Sequence, residues 1–399
     1  MAEELILKHV LKNAVDHDGK AQLGAVINKV VGEKPELKKD MKKLASKIKT
    51  VIKAVDKMKF SEQKKKLLKL WPDALKRKEE KEKVLPELLE AKSGKVVLRV
   101  APNVNAPLHI GHAKMFILND EYKKRYKGKL ILRFDDTDPD VKRPILKVYN
   151  WDIEDIKWLG VFPDQIVYAS DRIPLYYEVA DKLIKIGKAY VCTCSQEMQQ
   201  KNRAREICCK HRGQSPKENK KLWGQMKAGE FKKGEAVLKI KTNMNHPNPA
   251  IRDWIAFRMV SMSHPRVGDK YKTWPMLDFQ SAVDDYTLGV THILRGKELR
   301  DSTERQKYIY RYMDWNYPET WYWGRVSIQE LGKISKSDIA KKMQNKRYKR
   351  ENDPVTLAYF RKKGTKPRAI REFFLQMGLT EKDQKVSLKI LEAINKEYS

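Results

Sequence analysis

A chain of 399 residues with 41% hydrophobic content and nine Trp is long enough for several units around a substantial core. It has no apolar run of about eighteen residues to span a membrane, and its start, Met1-Ala2-Glu3-Glu4, lacks the basic-then-apolar order of a signal peptide, so it reads as cytoplasmic. The 84 Lys and Arg against 52 Asp and Glu give a formal +32, which suits a polyanion, nucleic acid first, unless the lysines are only solvated faces. Residues 1–94 read as a Lys-rich helical appendage, with helical spacing in Leu5, Ile6, Val10, Leu11 and in Leu44, Ile48, Val51, Ile52, Val55, and with a charged linker or exposed helix at Lys76 to Lys83. From 95 to 186 the texture becomes α/β: a strand at Val96 to Val100, a helix from about His109, a strand at Lys129 to Phe134, then amphipathic helices at Ile145 to Leu159 and Leu175 to Ile186. Strand, helix, strand at this spacing is a parallel crossover of a nucleotide-binding sheet. Residues 187–276 interrupt it as an inserted domain that holds all four cysteines and a strand at Ala236 to Lys241. The alternation resumes over 277–337, and 338–399 read as helical and basic to the end.

Two motifs carry most of the chemistry: Pro107-Leu108-His109-Ile110-Gly111-His112, and Lys333-Ile334-Ser335-Lys336-Ser337 some way downstream. They resemble the HIGH and KMSKS signatures of class I aminoacyl-tRNA synthetases, in whose reaction attack of a carboxylate on the α-phosphorus of ATP expels pyrophosphate, so that charge on several phosphate oxygens has to be stabilised together. His109 and His112 at a helix N-terminus can donate to those oxygens, and Gly111 permits close approach of the adenine ring. Lys333 and Lys336 supply positive charge on a loop able to close over pyrophosphate.

The resemblance sharpens at Leu98-Arg99-Val100-Ala101-Pro102-Asn103, Arg133-Phe134-Asp135-Asp136-Thr137-Asp138-Pro139, Ile156-Lys157-Trp158-Leu159-Gly160 and the run from Asp284-Asp285 to Arg295-Gly296. These are similar to the glutamyl and glutaminyl branch, in its archaeal-type glutamyl form, over nearly the whole chain. The resemblance implies a Rossmann-like catalytic domain whose insert binds the acceptor end of tRNA. In it Arg99 and Arg295 face the carboxylates of glutamate, Asp135 its ammonium, and Asn103, Leu277 and Ser281 line the amino-acid site. Arg295 discriminates, because a neutral amide gives a desolvated guanidinium nothing to neutralise. On the ATP side it implies Pro107, His109, Gly111, His112, Arg325, Val326, Lys333, Ser335 and Lys336, with Mg2+ accompanying the nucleotide. Val100, Val104 and Ala106 depart from the usual Phe, Pro and Gly, and Leu277 stands where a substrate-contacting Tyr is common.

Cys192-Thr193-Cys194 with Cys209-Lys210-His211 resembles the structural zinc pattern of some members, Cys208 being a competing ligand and ordinary buried thiols the alternative. Between Ala340 and Arg371 lie 12 Lys and Arg against 2 Asp and Glu, interleaved with Tyr348, Tyr359 and Phe360, a pattern that suits a tRNA stem. Full-length archaeal relatives continue into anticodon-reading β-barrels, so the chain reads as either a truncated form or a short paralogue. The expected activity is ATP-dependent charging of tRNA(Glu), and of tRNA(Gln) as an open question, with L-glutamate, by a monomer that binds no membrane. Two alternatives stay open: transfer of activated glutamate to a modified tRNA base or another acceptor, and a degenerate tRNA-binding protein.

Overall fold

The computed structural model describes residues 2–74, 85–332 and 334–398; the Lys76 to Lys83 run and Lys333 therefore lie outside the described residues. The chain divides into two compact units, Met1–Lys81 and Glu82–Ser399.

The first unit packs four helices: α1 (Ala2–Asp16), α2 (Leu23–Glu33), α3 (Met41–Val55) and α4 (Phe60–Leu70). Their core is Leu5, Ile6, Val10, Leu11, Val26, Val30, Leu44, Ile48, Val55 and Leu67, the helical stripe expected from spacing, with Val51 and Ile52 half-buried at its margin. Asp40 caps α3 by accepting from the Lys43 N–H at 3.1 Å. The buried Gln63 amide donates to the carbonyls of Val55 (2.9 Å) and Gly19 (3.0 Å), satisfying a helix end and a turn together. The described residues after Leu70 carry no helix up to the sheet, which differs from the helical reading of this stretch; Pro72 and Pro86 each remove a donor. Leu85 and Leu88 bury in the core of the second unit.

The second unit begins with β1 (Val97–Val100), α5 (Ile110–Arg125), β2 (Lys129–Phe134), α6 (Leu146–Trp158), β3 (Gln165–Tyr168) and α7 (Ile173–Lys185). β1, β2 and β3 pair in parallel in that order, Arg99 opposite Ile131 and Phe134 opposite Tyr168, as the crossover pattern requires. The insert follows as β4 (Ala189–Cys192), α8 (Gln196–Ala204), α9 (Pro216–Ala228), β5 (Val237–Ile240), β6 (Ile255–Met259) and β7 (Thr273–Pro275), its four strands forming one antiparallel sheet. α10 (Leu277–Thr287), β8 (His292–Gly296), α11 (Arg300–Tyr312) and β9 (Glu319–Trp323) return to the parallel layer, where β8 and β9 pair and the Thr291 N–H donates to the Val97 carbonyl at 3.0 Å, bringing β8 beside β1.

The remaining elements are β10 (Val326–Ile328), α12 (Lys336–Lys342), α13 (Leu357–Lys362), α14 (Pro367–Leu375), β11 (Gln384–Val386) and α15 (Leu388–Glu397). β11 corrects the all-helical expectation: three residues, Gln-Lys-Val, show no alternating pattern, yet they pair in parallel with β10. Gly324 permits this approach, since a Cβ there would lie 2.2 Å from the Lys382 carbonyl oxygen. One core joins β1, β2, α5, α6 and α14; a second joins the insert to α7, α10 and α11 through Trp223, Phe257, Phe279 and Tyr310. The insert is thus packed onto α10, the helix that supplies the acidic residues of the site.

Candidate active site

Three parallel neighbours, β1, β2 and β8, each place an arginine toward their carboxyl ends: Arg99, Arg133 and Arg295. That rim is where ligands bind in such sheets. α10 faces them with Gln280, Ser281, Asp284 and Asp285, two i,i+4 rows on one helical face. All are buried. The Arg133 guanidinium donates once from each of its nitrogens, to Asp135 (2.7 Å), Asp285 (2.7 Å) and Ser281 Oγ (2.9 Å). Arg99 donates to both oxygens of Asp285, at 3.2 and 3.4 Å. Arg295 reaches Thr303 and Gln306, each at 3.2 Å, lies 4.0 Å from Asp285, and has an Nε without a partner among the described residues.

The charges act on one another in opposite senses. Burial would raise the Asp285 carboxyl, but Arg99, Arg133 and Arg295 hold it below its ordinary value. Burial lowers Arg99, with Asp285 opposing, whereas burial of Arg133 is outweighed by Asp135, Asp285 and Asp284, which lift it well above the arginine range. Asp284 is raised by burial despite Arg133 and Arg172, the latter donating at 2.7 Å. With Asp284 matched by Arg172, the three arginines face two carboxylates, Asp135 and Asp285, leaving one positive charge.

Arg99, Arg133, Asp135, Ser281 and Arg295 line a cavity of about 1020 Å³ whose other wall is the start of α5 and the strand β10. Arg99, His109, Gly111, His112, Asp135, Leu277, Ser281, Arg295, Arg325 and Val326 all line it, from segments up to 227 positions apart. Leu277, 41% exposed, presents an apolar edge. The His109 N–H donates to His112 Nδ1 at 3.2 Å, which fixes the His112 proton on Nε2. The two rings lie 3.7 Å apart, and His109 Nδ1 is buried with no partner among the described residues. Burial, then the nearby Lys336 ammonium, pushes His109 down to about 3; burial, His109 and Lys336 push His112 the same way. Both imidazoles are therefore neutral donors or acceptors at pH 7. A Cβ on Gly111 would meet the His109 ring at 3.1 Å, so a larger residue there would press on the histidine. The Ile110 N–H donates to the Val355 carbonyl (2.9 Å) and the Leu357 N–H to that of Leu108 (3.1 Å), anchoring the motif to the C-terminal part.

Other expected residues lie outside the cavity wall. Asn103 uses its side chain within the loop, donating to the Asp135 carbonyl (3.2 Å) and accepting from the Asn105 N–H (3.1 Å). Pro107 is not among the lining residues. Ser335 caps α12, accepting from the Asp338 N–H at 3.1 Å. Lys336, its side chain 11% exposed, donates to the Asn103 carbonyl and lies 3.5 Å from Asp152. Val100, Val104 and Ala106 are fully buried, so these departures from the family pattern are packing positions. Arg133, Gln280 and Asp285 were missed as site residues, although each sits within or beside a motif already singled out; one carboxylate shared by several arginines leaves no spacing signal. In the basic region Arg350 is buried against Asp155 at 3.2 Å, Arg371 pairs with Asp120 at 2.6 Å, and Phe360 is buried, so part of that charge and aromatic content is structural.

In the insert, Cys192, Cys194, Cys209 and His211 bring their ligand atoms within 4.8 Å of one another. The Cys209 sulfur lies 3.5 and 3.4 Å from those of Cys192 and Cys194 and 3.1 Å from His211 Nδ1. Tetrahedral zinc sets sulfurs about 3.8 Å apart, so three thiols and an imidazole so arranged fit such an ion. Thr193 Oγ1 sits 3.1 Å from His211 Nε2 and turns Nδ1 toward the sulfurs. Cys208 is exposed and outside the group.

A Rossmann-like sheet with this cavity at its carboxyl rim is the architecture of a nucleotide-dependent ligase, and residues 95–398 match the family described as tRNA synthetases class I (E and Q), catalytic domain. The chain belongs to that family. It is 48% identical over 396 residues to the glutamate–tRNA ligase of Archaeoglobus fulgidus, across 99% of this chain and 72% of that protein. To the glutamate–tRNA ligase of Pyrococcus furiosus it is 47% identical over 401 residues, across 99% and 70%. In fold it is similar to a glutamate–tRNA ligase structure from Elizabethkingia meningosepticum, solved in complex with its amino acid (TM-score 0.56, 19% identity, 76% of this chain and 69% of that one). No described helix is long and apolar enough to cross a membrane.

Proposed function

We propose that the chain is a glutamate–tRNA ligase that couples ATP to the charging of tRNA(Glu). The observation that carries this is Arg295: buried to 4% exposure, it lines the cavity shared by His109 and His112, and its Nε has no partner among the described residues. Glutamate carries one net negative charge and complements the single positive charge left by the three arginines; neutral glutamine leaves that charge unmatched. Arg99 and Arg295 hold the two carboxylates, and Asp135, oriented by Arg133, takes the ammonium. A glutamate carboxylate oxygen attacks the α-phosphorus, the bond to the bridging oxygen breaks, and pyrophosphate leaves. A terminal ribose hydroxyl of tRNA then attacks the acyl carbon and AMP leaves.

His112, with its proton on Nε2, donates to phosphate oxygen, and His109 lines the same part of the cavity. Val326 and Arg325 border the nucleotide from β10. Mg2+ enters with ATP as its counter-charge, and Lys333 and Lys336 neutralise the pyrophosphate. The insert receives the acceptor end, held in shape by zinc at Cys192, Cys194, Cys209 and His211, and the basic residues after 338 contact the stem. The protein works as a cytoplasmic monomer. The test is acid-gel analysis of tRNA(Glu) and tRNA(Gln) with labelled glutamate: charging that periodate oxidation of the 3′ end abolishes supports this reading, and label that survives periodate refutes it in favour of base modification.

A further inference from the structure

We propose that Asp152 is a positioning residue that parks Lys336 away from the cavity and competes with the polyphosphate of ATP for it. The proposal rests on the ATP reading above but concerns a group that reading does not use.

Asp152 lies on the inward face of α6, with no exposed side-chain surface. One of its oxygens lies 3.5 Å from Lys336 Nζ; the other has no partner among the described residues. The ammonium also donates to the Asn103 carbonyl, in the loop leading to His109. Gly332 and Ile334 of the same loop line the cavity while Lys336 does not. Its charge still bears on His109 and His112, so it waits next to the site rather than far from it.

For Lys336 to meet phosphate oxygens it must leave Asp152, and the carboxylate is then buried without a cation of its own. Asp155, one turn along α6, adds negative charge nearby and is itself held by Arg350 at 3.2 Å and Arg361 at 3.5 Å. These are the charged groups facing Asp152, along with Lys336 at the start of α12. Burial already lifts the Asp152 carboxyl to about 7 with Lys336 in place. Once the lysine departs, the carboxyl takes a proton from solvent, which removes the unpaired charge. ATP binding and proton uptake are thereby linked through one ion pair.

The test is calorimetric titration of the whole chain with MgATP, without amino acid, for wild type, Asp152→Asn, Lys336→Ala and the double variant. If Lys336 is released in about a tenth of free molecules, Asp152→Asn tightens ATP about tenfold. The same change in the Lys336→Ala background leaves the affinity unaltered. An equal gain in both backgrounds, or none in the wild-type background, overturns the parking role. A second readout needs no change at Asp152: wild type, titrated near pH 7 in buffers of different ionisation enthalpy, takes up a fraction of a proton that Lys336→Ala does not. Equal uptake by the two overturns the proposal. Wild type that binds no ATP overturns it together with the ligase reading, whereas ATP binding indifferent to Asp152 overturns the parking alone.

Discussion

Arg133, which lines the cavity, grips Asp285 at 2.7 Å, both side chains 1% exposed, and the same guanidinium holds Asp135 at the same distance. That side of the cavity is thus organised by an arginine bound from each of its three nitrogens, while Arg99 shares Asp285 with it and Arg295 keeps an Nε without a partner among the described residues.

Removing Arg133 leaves two buried carboxylates short of a partner. Arg133→Leu should lower unfolding free energy by about 3 to 5 kcal/mol, the cost of breaking a buried pair. Urea denaturation measures it; a loss within experimental error of zero contradicts the organising role.

Arg295 keeps a donor without a partner among the described residues, so its loss should show in recognition. Arg295→Cys should weaken glutamate by about 3 to 5 kcal/mol if it pairs with the side-chain carboxylate, while glutamine, whose amide needs no counter-charge, suffers much less. Pyrophosphate exchange with each amino acid decides; parallel losses place Arg295 at the α-carboxylate instead.

Lys336→Ala should slow adenylate formation by roughly a hundred- to a thousand-fold, the effect of one electrostatic donor in a transition state, with little change in glutamate affinity. Single-turnover formation of labelled adenylate checks it. An unchanged rate rejects the loop assignment.

Acid should destabilise the fold through the paired imidazoles. Unfolded histidine binds a proton near pH 6.5, whereas burial delays this in folded His109 to about 3. Between those values the unfolded state holds more protons, so stability rises with pH across the window and this contribution is flat above it. The slope is up to about 1.4 kcal/mol per pH unit for each histidine. Denaturation at pH 7, 6 and 5 should show a shallower slope for His109→Asn than for wild type; equal slopes contradict the buried neutral state.

The zinc assignment separates two adjacent cysteines. Metal analysis should find one zinc per chain, lost in Cys192→Ser and retained in Cys208→Ser, with a chelator lowering the melting temperature of wild type. Metal that depends on Cys208 contradicts the ligand set.

The parallel layer was legible because β1, β2 and the helix between them carry β-branched and apolar runs at crossover spacing, and His109, Gly111 and His112 stand at a helix start. Motif resemblance grouped Arg99, Asp135 and Arg295, which line one cavity. The rest was not legible, for physical reasons. Asp285 serves three arginines from three strands, a relation that exists only after the sheet closes. Asn103 and Lys336 meet across 233 positions through a backbone carbonyl, which no side-chain pattern announces. β11 is three residues long and is held by its partner strand rather than by its own propensity. Arg350, part of a basic run, turns inward to Asp155 because α6 buries a carboxylate there.

ATP–pyrophosphate exchange, run with and without tRNA and with glutamate or glutamine as the amino acid, tests the central claim most directly. Exchange driven by glutamate, with glutamine far weaker, is the predicted result. No exchange with glutamate under either condition, or stronger exchange with glutamine, contradicts the assignment of this site to glutamate activation.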